Sequence, residues 1–303
     1  MVDPSRNRIL FVPGKNPKPT PALHREWLWR CLVHGTRVAD SAAGQSLARR
    51  PDCFALAAWN ALYYGCDKLL EPDQRWIEQL LATPGAGPEE RRAALSWRTR
   101  RARLAYWLAD WSPFILSRVH DPAITATIRE TEAYFSNHEG IGARVRERVK
   151  QPLRAMLAAG DRVLLIGHSL GAVIGYDALW ELWVEEGLRS QVDMFLTLGS
   201  PLGMHYVQRR LLGFHHAAGR RFPGNIRRWR NVAAHGDLTA LDPRLADDFA
   251  PMLAAGLTES IVDEHDGVFN FFRNADGLNV HRSYGYLAQP RAGHVVARWW
   301  HGF

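Results

Sequence analysis

The stretch Arg162-Val-Leu-Leu-Ile-Gly-His-Ser-Leu-Gly-Ala172 joins a short apolar run to a segment with helical spacing. Residues 163–166 have the length and composition of a buried strand. A Gly-x-Ser-x-Gly turn follows, and in a sharp strand-to-helix turn of this kind the serine stands at the carboxyl end of the strand. Glycine is expected to be required at 167 and 171 because a side chain there would collide with the adjoining strand or helix. The pattern therefore predicts that the Ser169 hydroxyl points into open space, beside the first amides of a helix.

Strand-like and helical segments alternate on both sides of this turn. Five further segments have the composition of core strands: residues 8–12, 53–59, 192–198, 226–234 and 268–272. Helical spacing covers residues 22–38, 144–157 and 170–187, and a C-terminal segment that contains Val295, Val296, Trp299 and Trp300. This alternation predicts an α/β fold with a mostly parallel central sheet and helices on both faces. In such a sheet the active site lies at the carboxyl ends of the strands.

A long segment of helical pattern interrupts the alternation. We expect residues 1–66 and 140–303 to form the α/β core and residues 67–139 to form a helical insertion that could serve as a cap. Trp97, Trp107 and Trp111 of the insertion are candidates for an apolar acyl pocket, although ordinary packing explains each of them equally well. A basic amphipathic helix in this segment could also lie on a membrane. A core-facing helix with a solvated arginine face is the simpler interpretation.

The composition is that of a globular protein. A chain of 303 residues with 47% hydrophobic and 23% charged residues can bury a sizeable core. The sequence contains no run of 18 apolar residues, so no transmembrane helix is expected. The first residues lack the apolar segment of a signal peptide. Cys31, Cys53 and Cys66 match neither a metal-ligand spacing nor a disulfide framework, so a reducing cytoplasm is the expected compartment.

The chain carries a net charge of +7, and only four of its 38 basic residues are lysines. A basic balance can favour nucleic acid or an anionic membrane surface. The arginines are spread along the chain, however, and no nucleic-acid-binding motif is recognisable. We therefore expect no nucleic acid, cofactor or metal, and we keep peripheral membrane contact as an alternative. The oligomeric state is left open.

A serine nucleophile needs a base within hydrogen-bond reach and a carboxylate that orients the base. The order to look for is serine, then acid, then histidine. Asp237 is the best acid because it follows the predicted strand 226–234 after the small Gly236. Asp242 is the alternative, but an aspartate before Pro243 is also explained as a helix cap.

Four histidines follow the acid, namely His265, His281, His294 and His301. His281 lies between the last predicted strand and the closing helix, where the base is expected. His265 precedes that strand and is expected at the opposite edge of the sheet. His294 and His301 lie in or beside the terminal helix. We therefore assign His281 as the base.

An oxyanion hole needs two backbone amides held in place. One is expected from Leu170, and the other from Lys15 in the loop after the first strand, where Gly14 makes the turn. Gly14, Asn16 and His168 are assigned to the substrate-binding surface. The turn is expected to direct the His168 side chain away from the nucleophile, so His168 is interpreted as a packing residue.

The motifs together resemble those of a known superfamily. Phe11-Val-Pro-Gly-Lys15, Gly167-His-Ser-Leu-Gly171, Thr197-Leu-Gly-Ser-Pro-Leu202, His235-Gly-Asp237 and Val280-His281 occur in the order seen in α/β-hydrolases. The Gly-Ser-Pro stretch and the spacing resemble the lipase and esterase branches.

The resemblance implies an α/β-hydrolase fold with Ser169, Asp237 and His281 as the catalytic triad. It also implies hydrolysis of a small acyl ester or lipid through an acyl-enzyme intermediate. A thioesterase or an acyltransferase uses the same residues, so these activities stay open as alternatives. A non-catalytic binding module on the same fold is a further alternative.

Overall fold

Six strands form one parallel sheet in the computed structural model, which describes residues 4–64, 73–96, 99 and 131–303. The strands are β1 (Asn7–Val12), β2 (Phe54–Leu56), β3 (Arg162–His168), β4 (Met194–Leu198), β5 (Arg228–Val232) and β6 (Ser260–Glu264). They lie in the order β2-β1-β3-β4-β5-β6, and every neighbouring pair is parallel. Two short strands, β7 (Arg273–Asn274) and β8 (Gly277–Leu278), form a separate antiparallel pair. The predicted α/β fold with a parallel central sheet is confirmed.

Helices occupy most of the connections in the described part of the chain. The helices are α1 (Pro21–Ala39), α2 (Ser41–Ala48), α3 (Asn60–Tyr64), α4 (Gln74–Ala82), α5 (Pro88–Ala94), α6 (Ile141–Ala158), α7 (Leu170–Trp180), α8 (His205–Gln208), α9 (Ala218–Arg221), α10 (Leu245–Asp248), α11 (Ala250–Ala254), α12 (Ser283–Ala288) and α13 (Pro290–His301). A π-helical turn, Glu181–Glu185, extends α7, so the predicted helix over 170–187 is regular only in its first part. Among the described helices, none is both long and apolar enough to cross a membrane.

Strands β1, β3 and β4 in the middle of the sheet are apolar at most positions because both faces of the sheet are covered there. Ile9 and Phe11 of β1 pack into one core with α1, α12 and α13, whereas Leu10 and Val12 pack into a second core with α6 and α7. Successive side chains of a strand point to opposite faces, so a strand between two helical layers must be apolar at nearly every position. The expected helices on both faces are therefore present.

The strand order changes direction beside the central strands. From β1 the chain goes to β2 on one side and then returns to β3 on the other side. In an open parallel sheet, a crevice forms at the carboxyl edge where the order reverses in this way. The loop that follows β1 and the turn that follows β3 flank this crevice. The fold therefore brings together the two segments from which the sequence predicts an oxyanion loop and a nucleophile.

The prediction of a strand over residues 268–272 was wrong, because the last strand of the sheet is β6. Residues 268–272 are buried but irregular, and their backbone groups bond outside the sheet. The Val268 carbonyl accepts from the His235 amide, and the Phe272 amide donates to the Asn270 side chain. His265 directly follows β6, so it lies at the carboxyl edge rather than at the opposite edge as expected.

The described part of the segment 67–139 packs on the core. Ile77 and Leu80 of α4 belong to the same buried cluster as α1 and α13. Tyr134 belongs to the cluster on the opposite face of the sheet. The predicted second strand, residues 53–59, is short, because only Phe54–Leu56 pair with β1. Trp97, Trp107 and Trp111, the candidates for an acyl pocket, lie outside the described residues.

A buried carboxyl group, that of Asp177, ties α7 to the segments on either side of it. Its Oδ2 accepts from the Tyr134 hydroxyl at 2.9 Å, and its Oδ1 accepts from the Leu212 amide at 3.2 Å. Burial raises the pKa of Asp177 to about 7, although the Leu212 amide and the charge of Arg146 favour the carboxylate. The folded protein therefore holds a proton here more tightly than the unfolded chain does.

Replacing Asp177 with asparagine should change how stability depends on pH. Because the pKa of Asp177 is raised on folding, its favourable contribution is fully present below about pH 4 and is lost as the pH rises through about 7. The wild-type free energy of unfolding should fall faster than that of Asp177→Asn in this window, by up to about 1.4 kcal/mol per pH unit. Urea denaturation across the window measures both curves, and parallel curves would contradict the prediction.

Candidate active site

The turn between β3 and α7 holds Ser169 in a strained conformation. Ser169 has φ 55° and ψ −128°, a region that residues with a side chain rarely adopt. A Cβ on Gly167 would lie 2.6 Å from the Ala172 Cα, and a Cβ on Gly171 would lie 2.2 Å from the Val12 carbonyl oxygen. Both glycines are therefore sterically required, as predicted. Ser169 as a whole residue is 4% exposed, so most of it is packed within the protein.

The structure brings Ser169, His281 and Asp237 into one hydrogen-bonded row. The Ser169 Oγ lies 2.9 Å from Nε2 of His281, and Nδ1 of His281 lies 2.8 Å from Oδ2 of Asp237. An ionised carboxylate can only accept hydrogen bonds, so Nδ1 is the nitrogen that carries the proton. Nε2 is then free to accept from the serine hydroxyl. This arrangement can draw a proton from Ser169 and hold the resulting imidazolium beside a carboxylate.

Asp237 is fully buried, and three donors surround its carboxylate. Besides His281, the Tyr286 hydroxyl donates to Oδ2 at 2.6 Å and the Thr239 amide donates to Oδ1 at 2.8 Å. Burial alone would raise the pKa of Asp237, but the charge of His281 and these hydrogen bonds hold it below the ordinary value. The group is therefore a carboxylate at neutral pH. Sequence reasoning missed Tyr286, for which no local pattern gave a signal.

The other candidates lie elsewhere in the described chain. Oδ1 of Asp242 accepts from the Arg244 amide and makes a local turn. The His265 ring faces Asp266, and the His301 ring faces Asp40. His294 is exposed on α13. Of the four histidines considered, it is His281 that contacts Ser169.

The side chain of His168 is not directed away from the site. Its Nε2 donates to the carbonyl oxygen of His281 at 2.7 Å, and the two rings lie 4.9 Å apart. The ring is 5% exposed and is packed beside Tyr286. His168 therefore contacts the backbone of the base, a contact that the sequence interpretation as a packing or substrate-binding residue did not include.

The first four residues of the loop after β1, residues 13–16, each have their carbonyl group bound by a side chain. Nε1 of Trp59 donates to the Pro13 carbonyl at 2.8 Å, and Nδ2 of Asn60 donates to the carbonyls of Gly14 and Asn16 at 2.9 and 3.0 Å. The remaining carbonyl, that of Lys15, accepts from Nζ of Lys18 at 2.7 Å. Trp59 and Asn60 are both buried. The sequence showed them only as the end of a strand and the start of a break.

These bonds fix the direction of the loop amides. The peptide bond is trans, so the N–H of Lys15 points away from the Gly14 carbonyl and hence away from Asn60. Gly14 itself packs against the Ser169 and His168 side chains. Leu170 is the first residue of α7, so its amide has no acceptor within the helix. The loop and the helix start can therefore present two amides to the space beside the serine.

Asn16 has a structural position in the same loop. Its φ is 74°, and its amide donates to the Tyr64 hydroxyl at 2.9 Å. The backbone amide of Asn16 is therefore already hydrogen-bonded within the protein. The side chain of Asn16 is exposed and is the part of this residue that can contact a substrate. Gly14 lies so close to the nucleophile that a Cβ at this position would be 2.8 Å from the Ser169 Cβ.

Replacing Gly14 with alanine should damage this site while the fold persists. The new Cβ would lie 2.8 Å from the Ser169 Cβ and 2.9 Å from the His168 Nδ1, distances that force one of the groups to shift. A misplacement of about 1 Å can cost about 100-fold in rate, so we expect turnover of an ester to fall by about 10- to 100-fold. Gly219→Ala is the matched control, because a Cβ there meets nothing within 4 Å. Equal rates for the two variants would refute the prediction.

Among the described residues, no group of three or more histidine, cysteine or acidic side chains could hold a metal ion. Comparison of the chain with family models, with curated proteins and with solved structures gave no match.

Proposed function

We propose that this chain is a serine hydrolase with an α/β-hydrolase fold that cleaves carboxylic esters through an acyl-enzyme intermediate. The observation that carries the proposal is the hydrogen-bonded row from Ser169 through His281 to a buried, ionised Asp237. The row lies at the carboxyl edge of a parallel sheet, beside the crevice between β1 and β3. A strained serine backed by a base and a carboxylate is the arrangement that nucleophilic catalysis requires.

In the proposed reaction, Nε2 of His281 takes the proton of Ser169 as Oγ attacks the acyl carbonyl carbon. The negative charge that develops on the carbonyl oxygen is stabilised by the amides of Leu170 and Lys15. His281 then gives its proton to the leaving alcohol, and the acyl group stays on Ser169. A water molecule, deprotonated by His281, attacks the acyl-enzyme and releases the acid. Asp237 holds the ring orientation and stabilises the imidazolium throughout.

The bonds around the loop after β1 support this use of Lys15. An oxyanion hole is effective because its donors are already fixed when the charge appears. Trp59 and Asn60 donate hydrogen bonds to the carbonyls of Pro13 and Gly14 and so fix the loop backbone. The Lys15 amide therefore needs little reorientation during the reaction. We also propose a cytoplasmic location, which is supported by cysteines that match no disulfide framework.

Reaction with a fluorophosphonate tests the proposal directly. The folded protein should form one covalent adduct, and mass spectrometry of its peptides should locate the adduct on Ser169. Heat-denatured protein should not react, because the reactivity depends on His281. An unlabelled folded protein, or an adduct on another residue, would refute the proposed nucleophile.

A substrate panel distinguishes the proposed esterase from the alternatives. Acyl esters and acyl thioesters of matched chain length should be supplied with water alone and with an added alcohol acceptor. The proposal predicts release of free acid from the esters. Preferential thioester cleavage would favour a thioesterase, and acylated alcohol as the main product would favour an acyltransferase.

A further inference from the structure

His168 and Ser169 are consecutive residues, yet both side chains bond to His281. Nε2 of His168 donates to the His281 carbonyl at 2.7 Å, and Oγ of Ser169 lies 2.9 Å from Nε2 of His281. Neighbouring side chains of a regular strand point to opposite faces. The positive φ of Ser169 breaks that alternation at the end of β3. Two consecutive residues at the end of β3 therefore bond to His281, His168 to its backbone carbonyl and Ser169 to its ring.

We propose that His168 is a positioning residue that fixes the backbone of the His281 loop, so that the imidazole stays within hydrogen-bond reach of Ser169. The inference rests on the proposed function and adds a role that the triad alone does not contain. His168 has no contact with the reacting atoms in this role and acts only through His281.

The surroundings of His168 fit a positioning role better than simple packing. The ring is 5% exposed, and its Nδ1 is buried without a hydrogen-bond partner next to Gly14. A buried acceptor without a partner is unfavourable, so an apolar side chain would fill this space at lower cost. Within the described part of the chain, the polar interaction of the ring is the bond to the His281 carbonyl.

His168 is also suited to the role because it stays neutral. Burial, followed by the charges of His281 and Lys18, lowers the pKa of His168 well below its ordinary value. A neutral imidazole carries one proton, and the carbonyl acceptor places that proton on Nε2. The neutral ring therefore adds no positive charge beside His281 when His281 becomes protonated during catalysis.

Apart from the His168 bond, the hydrogen bonds to the backbone of residues 281 and 282 come from residues close to them in sequence. The His281 amide donates to Oδ1 of Asn279 at 3.2 Å, and Nδ2 of Asn270 donates to the Arg282 carbonyl at 2.9 Å. These bonds shape the loop but do not tie it to the nucleophile strand. The His168 bond joins residues 113 positions apart and connects the loop backbone to β3.

Three variants separate positioning from packing. His168→Phe keeps a ring but removes the donor, and His168→Gln places an amide N–H at about the reach of Nε2. His24→Phe is the matched control, because His24 is another buried histidine, packed edge-on against Tyr284. Steady-state kinetics on an ester that the wild type hydrolyses, labelling rates with a fluorophosphonate and thermal unfolding are measured for all of them.

We expect His168→Phe to lower kcat by about 10- to 100-fold with KM within about twofold of wild type. His168→Gln should recover kcat to within about threefold of wild type, and His24→Phe should retain it. The proposal is overturned if His168→Phe has normal kcat, if His168→Gln is as impaired as His168→Phe, or if His24→Phe loses as much activity.

A spectroscopic measurement keeps the proposal testable if the protein hydrolyses no ester and takes no label. That result would refute the proposed function, whereas the nitrogen NMR signals of His168 would still report its proton. A neutral ring with the proton on Nε2 supports the bond to the His281 carbonyl. A proton on Nδ1 would overturn it.

Discussion

Alanine in place of Ser169 is expected to lower kcat for an ester by about 10⁴-fold or more while the protein stays folded. The substitution removes Oγ, the atom that lies 2.9 Å from the base, and leaves the Cβ and the strained backbone unchanged. Binding of the ester should change little because the amides of Leu170 and Lys15 remain. Kinetics with the best ester of the panel measure kcat and KM separately.

Ser200→Ala is the matched control for this prediction. Ser200 is also buried and also follows a strand, β4, at the carboxyl edge of the sheet. Its hydroxyl accepts from the Leu202 amide, whereas the hydrogen bonds that join Ser169, His281 and Asp237 do not involve it. The control should keep kcat within about threefold of wild type. Comparable losses in both variants, or an active Ser169→Ala, would contradict the assignment of the nucleophile.

The position of the site was predictable because it follows from sheet geometry. Parallel strands place all of their carboxyl ends at one edge, so residues that directly follow strands meet there. Ser169 and the Gly14 loop each follow a strand that was recognisable from its apolar run. Asp237 lies a few residues after β5 and reaches the same edge. The apolar runs in the sequence were thus sufficient to predict that these residues come together. The catalytic roles of these residues remain predictions.

The last strand was not predictable from the same signals. Residues 268–272 are more apolar than β6, yet β6 pairs with β5. Hydrophobicity reports burial, and residues 268–272 are largely buried without being a strand. Their backbone groups bond to His235 and Asn270, and no local pattern encodes bonds of that kind. His265 was placed at the wrong edge for this reason alone.

The residues that hold the site together were also missed. Trp59, Asn60, Tyr286 and His168 each bond to a backbone or carboxylate group far away in the chain. Such bonds between a side chain and a distant partner leave no periodicity in the sequence. The reacting groups are thus predicted more readily than the residues that orient them.

Asparagine in place of Asp237 should lower kcat by about 10⁴-fold, with KM nearly unchanged. Three donors converge on this carboxylate: Nδ1 of His281, the Tyr286 hydroxyl and the Thr239 amide. Asparagine offers one oxygen in place of two. If the new oxygen faces Thr239, the amide N–H₂ faces His281 and favours the tautomer with the proton on Nε2. That tautomer cannot accept the proton of Ser169.

The opposite orientation of the asparagine does not rescue the site. With its oxygen toward His281, the amide N–H₂ would face the Thr239 N–H, and the Thr239 amide would lose its acceptor. This orientation also lacks the full negative charge that stabilises the imidazolium formed during the reaction. Both orientations therefore predict a loss in kcat rather than in substrate binding, since Asp237 is fully buried.

Asp263→Asn separates this effect from a general loss of stability. Asp263 lies on β6, where it accepts from the Leu245 and Ala246 amides and from Asn231. It thus also receives several hydrogen bonds on a neighbouring strand, but it does not contact His281. We expect Asp263→Asn to unfold at lower urea concentration and to keep its kcat once folded. If Asp237→Asn instead lost stability but not kcat, Asp237 would be a structural carboxylate, and the orienting group for His281 would have to be sought elsewhere.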